Sequence, residues 1–293
     1  MKKYLFFGIS AFALVLSALM TQFQLFTPIE ETITFFPLDE SVQYKEASTT
    51  LTLLKDKKNN KHRVEWKLSS KLDRQAYLRQ DLGLLYVNGR LKGKAGQWKQ
   101  DTAKLFQEEI IHTGESAKYE TISFHYAELH GAGDKISSSQ IMSGDMLYVI
   151  DSPFSPLRSF RVPKSKQERE WAQVLDQGTS SLLNKTLEKA SKIHSFDLAN
   201  YTSVPLDEFI MYEDQPIRGF TQGETAEIIG KLWEGIYKNY YLGIKKSDGT
   251  AADPLNSTMP QILISKDKTH ILLVTQTQDG ESIILRQMLQ GNH

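Results

Sequence analysis

Hydrophobic and polar positions follow three regimes along this chain. The first is an uncharged run over residues 4–20 that continues through Thr21-Gln22-Phe23-Gln24 to Phe26 and has no polar face. As a helix rising about 1.5 Å per residue, the run to Phe26 spans roughly 34 Å, enough for a hydrocarbon layer of about 30 Å. The pattern therefore predicts a transmembrane helix over 1–26.

The second regime is alternation with period two between about 48 and 151. Leu51-Thr52-Leu53 and Val64-Glu65-Trp66-Lys67-Leu68 flank a polar stretch over 55–63 and predict a hairpin. Asn88-Gly89, set between two further apolar runs, supplies the positive φ angles of a type I′ turn. Residues 119–129 place Ile122, Phe124 and Tyr126 on one strand face and Thr121, Ser123 and His125 on the other. Residues 141–150 are apolar on both faces and read as a more central strand. Within this part, 101–111 reads as a short helix, because Leu105, Phe106, Glu109 and Ile110 recur at helical spacing.

The third regime begins after Pro153, Pro156 and Pro163. A helical stripe runs over 167–193 through Trp171, Val174, Leu175, Leu182, Leu183, Leu187, Ala190 and Ile193, broken or weakened at Gly178. Thr221-Gln222-Gly223-Glu224 has the form of a capping box, and the helix it opens is expected to reach Tyr241. Three strands over 261–265, 270–276 and 282–289, with short connections, predict an antiparallel meander. Residues 27–47, rich in Thr and Glu with Pro28 and Pro37, read as a spacer that begins pairing at 33–36. The whole is an α+β chain: an N-terminal transmembrane helix, a strand-rich part over 48–151, and a helix-helix-three-strand part over 165–293. The last two form either two domains or one continuous domain.

Charge gives the first segment a direction. Lys2 and Lys3 precede it, no Lys or Arg follows until Lys45, and Glu30, Glu31, Asp39 and Glu40 lie beyond it. The positive-inside rule leaves the N-terminus in the cytoplasm and exports the rest. A retained anchor is favoured over a cleaved signal: Leu16 fits a cleavage site at Ala18 poorly, and the apolar run exceeds the usual core of about 7–15 residues. The expected partner of residues 4–26 is membrane lipid. Over the whole chain 35 basic residues balance 35 acidic ones; the exported part keeps 33 of the basic set. A neutral balance leaves no basic footprint for nucleic acid. With no cysteine present, disulfides, Cys-ligated zinc, iron-sulfur clusters and thiol nucleophiles are excluded.

Motifs for nucleotide binding, zinc proteases, serine hydrolases of the G-x-S-x-G type and calcium loops are absent, so no catalytic, cofactor-binding or metal residue is assigned and no cofactor is expected. Four weaker patches remain. His125, Glu128, His130 and Asp134 form the densest His/carboxylate cluster, read mainly as a solvated strand end. Ser265-Lys266-Asp267-Lys268 matches S-x-x-K but falls in a charged turn. Trp233, Tyr237, Tyr240 and Tyr241 offer an aromatic platform for a sugar, peptide or partner helix, or simply pack on the sheet. Five basic residues over 55–63 mark a hairpin tip, read mainly as solvated, with docking of anionic polymer or lipid head groups as the alternative. The expected function is a non-catalytic binding, assembly or regulatory module of a bacterial cell envelope, partnered by an envelope protein or polymer. The alternatives are a hydrolase with an atypical His/carboxylate site and a structural oligomer subunit.

Overall fold

Alternation between residues 44 and 160 becomes six antiparallel strands: β1 (Tyr44–Lys55), β2 (His62–Val87), β3 (Arg90–Thr113), β4 (Ala117–His130), β5 (Ile136–Ser152) and β6 (Ser155–Phe160). The computed structural model describes residues 33–55, 62–152, 155–246 and 248–289. The apolar segment 4–26 and residues 56–61 of the basic tip lie outside this set. Among the described residues no helix is long and apolar enough to cross a membrane.

β2 organises the sheet because it is 26 residues long and carries different partners along its length. On one edge it pairs with β3 throughout, through the Asn88-Gly89 turn, where φ is 49° and 74°. On the other edge its first half pairs with β1 and its second half with β4. Between Lys71 and Ala76 the β2–β3 register slips, so that β2 holds three more residues than β3 over the same interval. Extra residues on one strand bend and twist a ladder. The bend lays the first half of β2 over its second half: a Cβ at Gly83 would stand 2.6 Å from Cζ2 of Trp66. Trp66 thus fills the interior opposite Gly83, Leu85, Ala95, Tyr119 and Leu147.

The result is a nearly closed, barrel-like sheet. Side chains close the seam between β1 and β5. The Leu51 N–H donates to Asp145 Oδ2 at 2.7 Å, and Arg161 bonds both Asp145 and the Leu51 carbonyl.

The rest of the chain covers the outer face of β2, β4 and β5. After β6 come α1 (Lys166–His194), β7 (Tyr201–Pro205), a 3₁₀ segment (Asp207–Glu213) and α2 (Gln222–Ile236), which continues as a π-helical turn to Tyr241. The two-residue strands β8 (Ile244–Lys245) and β9 (Ala251–Ala252) pair with each other. The meander β10 (Gln261–Ser265), β11 (His270–Gln276) and β12 (Ser282–Met288) takes β7 as its fourth strand, in the order β12-β11-β10-β7. α2 lies between barrel and meander: Trp233 stacks on Phe124 at 5.1 Å, and Ile228, Leu232 and Ile236 join Ile262, Ile271 and Leu273 in one core. α1 covers the other meander face through Leu187 and Ala190 against Leu263, Leu272 and Val274.

Mostly antiparallel sheet with helices agrees with the α+β expectation, as do the two hairpins, the meander and the capping box at Thr221 and Glu224. Three local readings change. Residues 101–111 are strand, part of β3: Leu105 faces the barrel while Phe106 and Ile110 face solvent, and the two apolar faces together imitate helical spacing. α1 runs unbroken through Gly178, where the cost of about 1 kcal/mol is outweighed by the buried stripe Ala172, Leu183, Leu187 and Ala190. The segment read as spacer is built into the body from Ile33, which is buried in the shared core, and Leu38 bridges to Ser138 without a strand forming at 33–36.

Candidate functional site

β4 has two buried faces of opposite chemistry. Ile122, Phe124 and Tyr126 meet the helical layer, while Thr121, Ser123 and His125 point into the barrel. There they join polar side chains from β1, β2 and β5. Thr49 Oγ1 lies 2.7 Å from the hydroxyls of both Ser123 and Ser143; His125 Nε2 lies 2.7 Å from Ser143 Oγ; Ser70 donates to Asp81 Oδ2 at 2.5 Å. Arg79, fully buried, donates to Ser70, to the carbonyls of Ala103 and Tyr126, and lies over the Tyr44 ring. Burial raises the Tyr44 hydroxyl far above its usual value.

His125 Nδ1 stands 2.8 Å from Asp81 Oδ2, so Asp81, His125 and Ser143 follow one another in the order of a carboxylate–imidazole–hydroxyl relay. Two features separate this chain from a working relay. The Nδ1 contact is off the hydrogen-bond line, and Ser143 Oγ is enclosed between Thr49 and His125 beneath β1, with Ser143 7% and His125 0% exposed. A nucleophile needs a reachable position about 3 Å from both base and substrate. Inside the fold Ser143 partners His125 Nε2, while Asp81 is held by the Ser70 hydroxyl and by Arg79.

The four sequence patches fare differently. His125 is drawn away from Glu128, His130 and Asp134. Glu128 and His130 pair at 2.5 Å on the surface, with His130 stacked on Tyr77, and Asp134 is exposed in a 3₁₀ turn. Among the described residues no group of three His, Asp or Glu side chains is placed to hold a metal. Ser265-Lys266-Asp267-Lys268 forms the β10–β11 turn: Ser265 Oγ accepts the amides of Thr269 and His270, and both lysines donate to backbone carbonyls. Trp233, Tyr237 and Tyr240 are buried, and the Trp233 indole donates to Met142 Sδ at 3.2 Å. Packing on the barrel consumes that face.

A second polar cluster joins barrel to helices. Lys118 bridges Glu120 at 2.5 Å and Asp176 at 3.1 Å, and Asp176 accepts the Tyr148 hydroxyl. Burial, reinforced by Glu120, raises Asp207 to about 7, and burial also raises Glu120. Glu213, raised by burial to about 7, accepts the Met142 amide at 2.6 Å.

The arrangement best suited to a ligand lies elsewhere. A cavity of about 350 Å³ opens between β7, the end of β10 and the residues that lead into α2. Thr202 and Ile264, paired across β7 and β10, form the floor, and Tyr212 and Ile217 the wall. Arg218, Lys266 and Lys268 stand at the rim beside the Ser265 hydroxyl, and the lining contains no carboxylate. The nearby acids are already engaged: Glu224 caps α2 through Thr221, and Asp267 holds Thr269. Lys266 reaches the Ala199 carbonyl and Lys268 the Gly219 carbonyl, so each retains further N–H donors. Arg218 is exposed.

Sequence reasoning singled out Ser265, Lys266 and Lys268 only as an S-x-x-K match and missed their grouping with Thr202, Tyr212, Ile217 and Arg218, which come from two other segments. It also missed Arg79 and Asp81, whose signal was two charges in the otherwise uncharged stretch 75–87 of β2. Comparison with family models, with curated proteins and with solved structures finds no match to this chain.

Proposed function

We propose that the chain is a single-pass, membrane-anchored, non-catalytic binding module of the cell envelope. Residues 4–26 lie in lipid, the N-terminus is cytoplasmic, and the body binds a small ligand that joins an anionic group to an apolar part. Three cationic residues lining a cavity of about 350 Å³ together with Tyr212, Ile217 and Ile264 carry the binding reading. Pockets of roughly 300–1,000 Å³ with a few placed polar groups suit small molecules, and cations without a competing carboxylate select an anion. The anchor supports placement near a membrane. Six residues separate Phe26 from the buried Ile33, a reach of at most about 25 Å even when extended.

The test is calorimetric titration of the full chain in mild detergent with hexyl phosphate, using hexanol as the uncharged control. The phosphate is expected to bind, to bind more weakly as salt rises, and to lose roughly tenfold in affinity in Arg218→Glu. Equal binding of hexanol, or an Arg218→Glu variant that binds as the wild type does, would overturn the proposal. A hydrolase reading has one observation in its favour, the Asp81–His125–Ser143 order, and is opposed by the burial of all three.

A further inference from the structure

β3 is an edge of the barrel-like sheet: among the described strands it pairs with β2 alone. Its start is covered, since Leu91 exchanges backbone hydrogen bonds with Asn256 and Ser257, and Lys94 reaches the Tyr241 carbonyl. From Gln97 to Thr113 the strand continues for 17 residues with β2 as its only strand partner among the described residues. Along this stretch the even-numbered side chains face away from the barrel. Trp98 is 48%, Phe106 54% and Ile110 40% exposed, with Lys104 and Glu108 between them. A long edge carrying exposed apolar groups is a template for another strand.

The order of residues selects the partner. If a second copy of β3 pairs antiparallel about a twofold axis through Phe106, the two Phe106 rings meet, and each Lys104 stands opposite the partner's Glu108. Thr102 then faces Ile110. Centring the axis on residue 104 or 108 instead sets Lys104 or Glu108 against its own copy, which is unfavourable. Centring on 105 or 107 sets a charge against Phe106. One register therefore joins the aromatic contact and both opposite-charge pairs, and a twofold interface requires such self-complementarity.

We propose that the stretch of β3 from Gln97 to Thr113 is a homodimer interface, in which two copies extend their sheets into one through antiparallel β3–β3 pairing centred on Phe106, the partner strand replacing the Thr102 hydroxyl that bonds the Lys104 N–H and C=O at 3.3 and 3.2 Å. Lys104 and Glu108 fix the register. Glu108 lies 3.6 Å from Lys67 within its own chain, an exposed contact weak enough for exchange across the interface.

The chain has no cysteine, so a single introduced thiol reports only contact between copies. The experiment uses the full chain in mild detergent under gentle oxidation, reading disulfide-linked dimer on a gel and native mass by light scattering. Phe106→Cys is expected to crosslink roughly tenfold faster than Val174→Cys, a 67% exposed position on α1, and the wild type to have the mass of two chains. In the Phe106→Cys background, Lys104→Glu is expected to slow crosslinking, and Lys104→Glu with Glu108→Lys to restore it. All four positions are exposed, so folding is not at stake. A monomeric mass, equal rates at positions 106 and 174, or a charge exchange that fails to restore crosslinking would each overturn the proposal.

Discussion

The two faces of β4 show how differently one strand can be buried. Against α2 the contact is apolar: Ile122, Phe124 and Tyr126 meet Trp233 and its neighbours, and stability there comes from area and fit. Inside the barrel Ser123 and His125 are equally hidden, but each holds its place by a hydrogen bond to a particular atom. A polar group inside a fold is tolerated when partnered and costly when orphaned. The first face should accept a change of shape and the second should not.

The largest expected effect follows from Arg79. Arg79→Met keeps most of the volume but removes three bonded nitrogens and leaves Asp81 buried without its cation, so chemical denaturation should show a loss of about 3–5 kcal/mol. Ile228→Leu, on the apolar side, should lose less than about 1.5 kcal/mol. Equal losses would remove the contrast. Next in size is the fold of β2 onto itself: Gly83→Val drives methyl groups into Trp66 and Leu68 and should cost about 1–3 kcal/mol with a shift in tryptophan fluorescence.

The last effect concerns the joint between the two regions. Asp207 and Glu213 are raised to about 7, whereas in the unfolded chain both ionise near 4. Between those values the folded state binds more protons than the unfolded one, so their contribution to stability falls as pH rises from about 4 to 7 and is level above. Melting curves of Glu213→Gln should show a shallower decline over that window than the wild type. An unchanged slope would place the titration elsewhere.

Much of this frame was legible in the residues. Asn88-Gly89 announced its turn, Thr221 and Glu224 their cap, and the short links after Ser265 and Gln276 their meander, because each depends on neighbours in sequence. The bend in β2 was not legible, since it rests on a register slip between Lys71 and Ala76 and on Gly83 meeting Trp66, 17 positions away. The same holds for the polar chain. Alternation showed that Thr121, Ser123 and His125 share a face, and the ordinary expectation for such a face is water. Only the closure of β1 over β5 turns it inward. Lys266 and Lys268 are neighbours in one turn, but only tertiary folding brings Arg218, Tyr212 and Ile217 to them, so the cavity they line had no local signature.

The claim on which this contrast turns is that Asp81, His125 and Ser143 serve the fold and perform no acyl transfer. The direct measurement is incubation of the native full chain with a fluorophosphonate probe, followed by peptide mapping. No adduct at Ser143 is predicted, because its hydroxyl is held between Thr49 and His125 beneath β1. Labelling of Ser143 in the wild type that disappears in His125→Ala would contradict the account and make the barrel interior an active site.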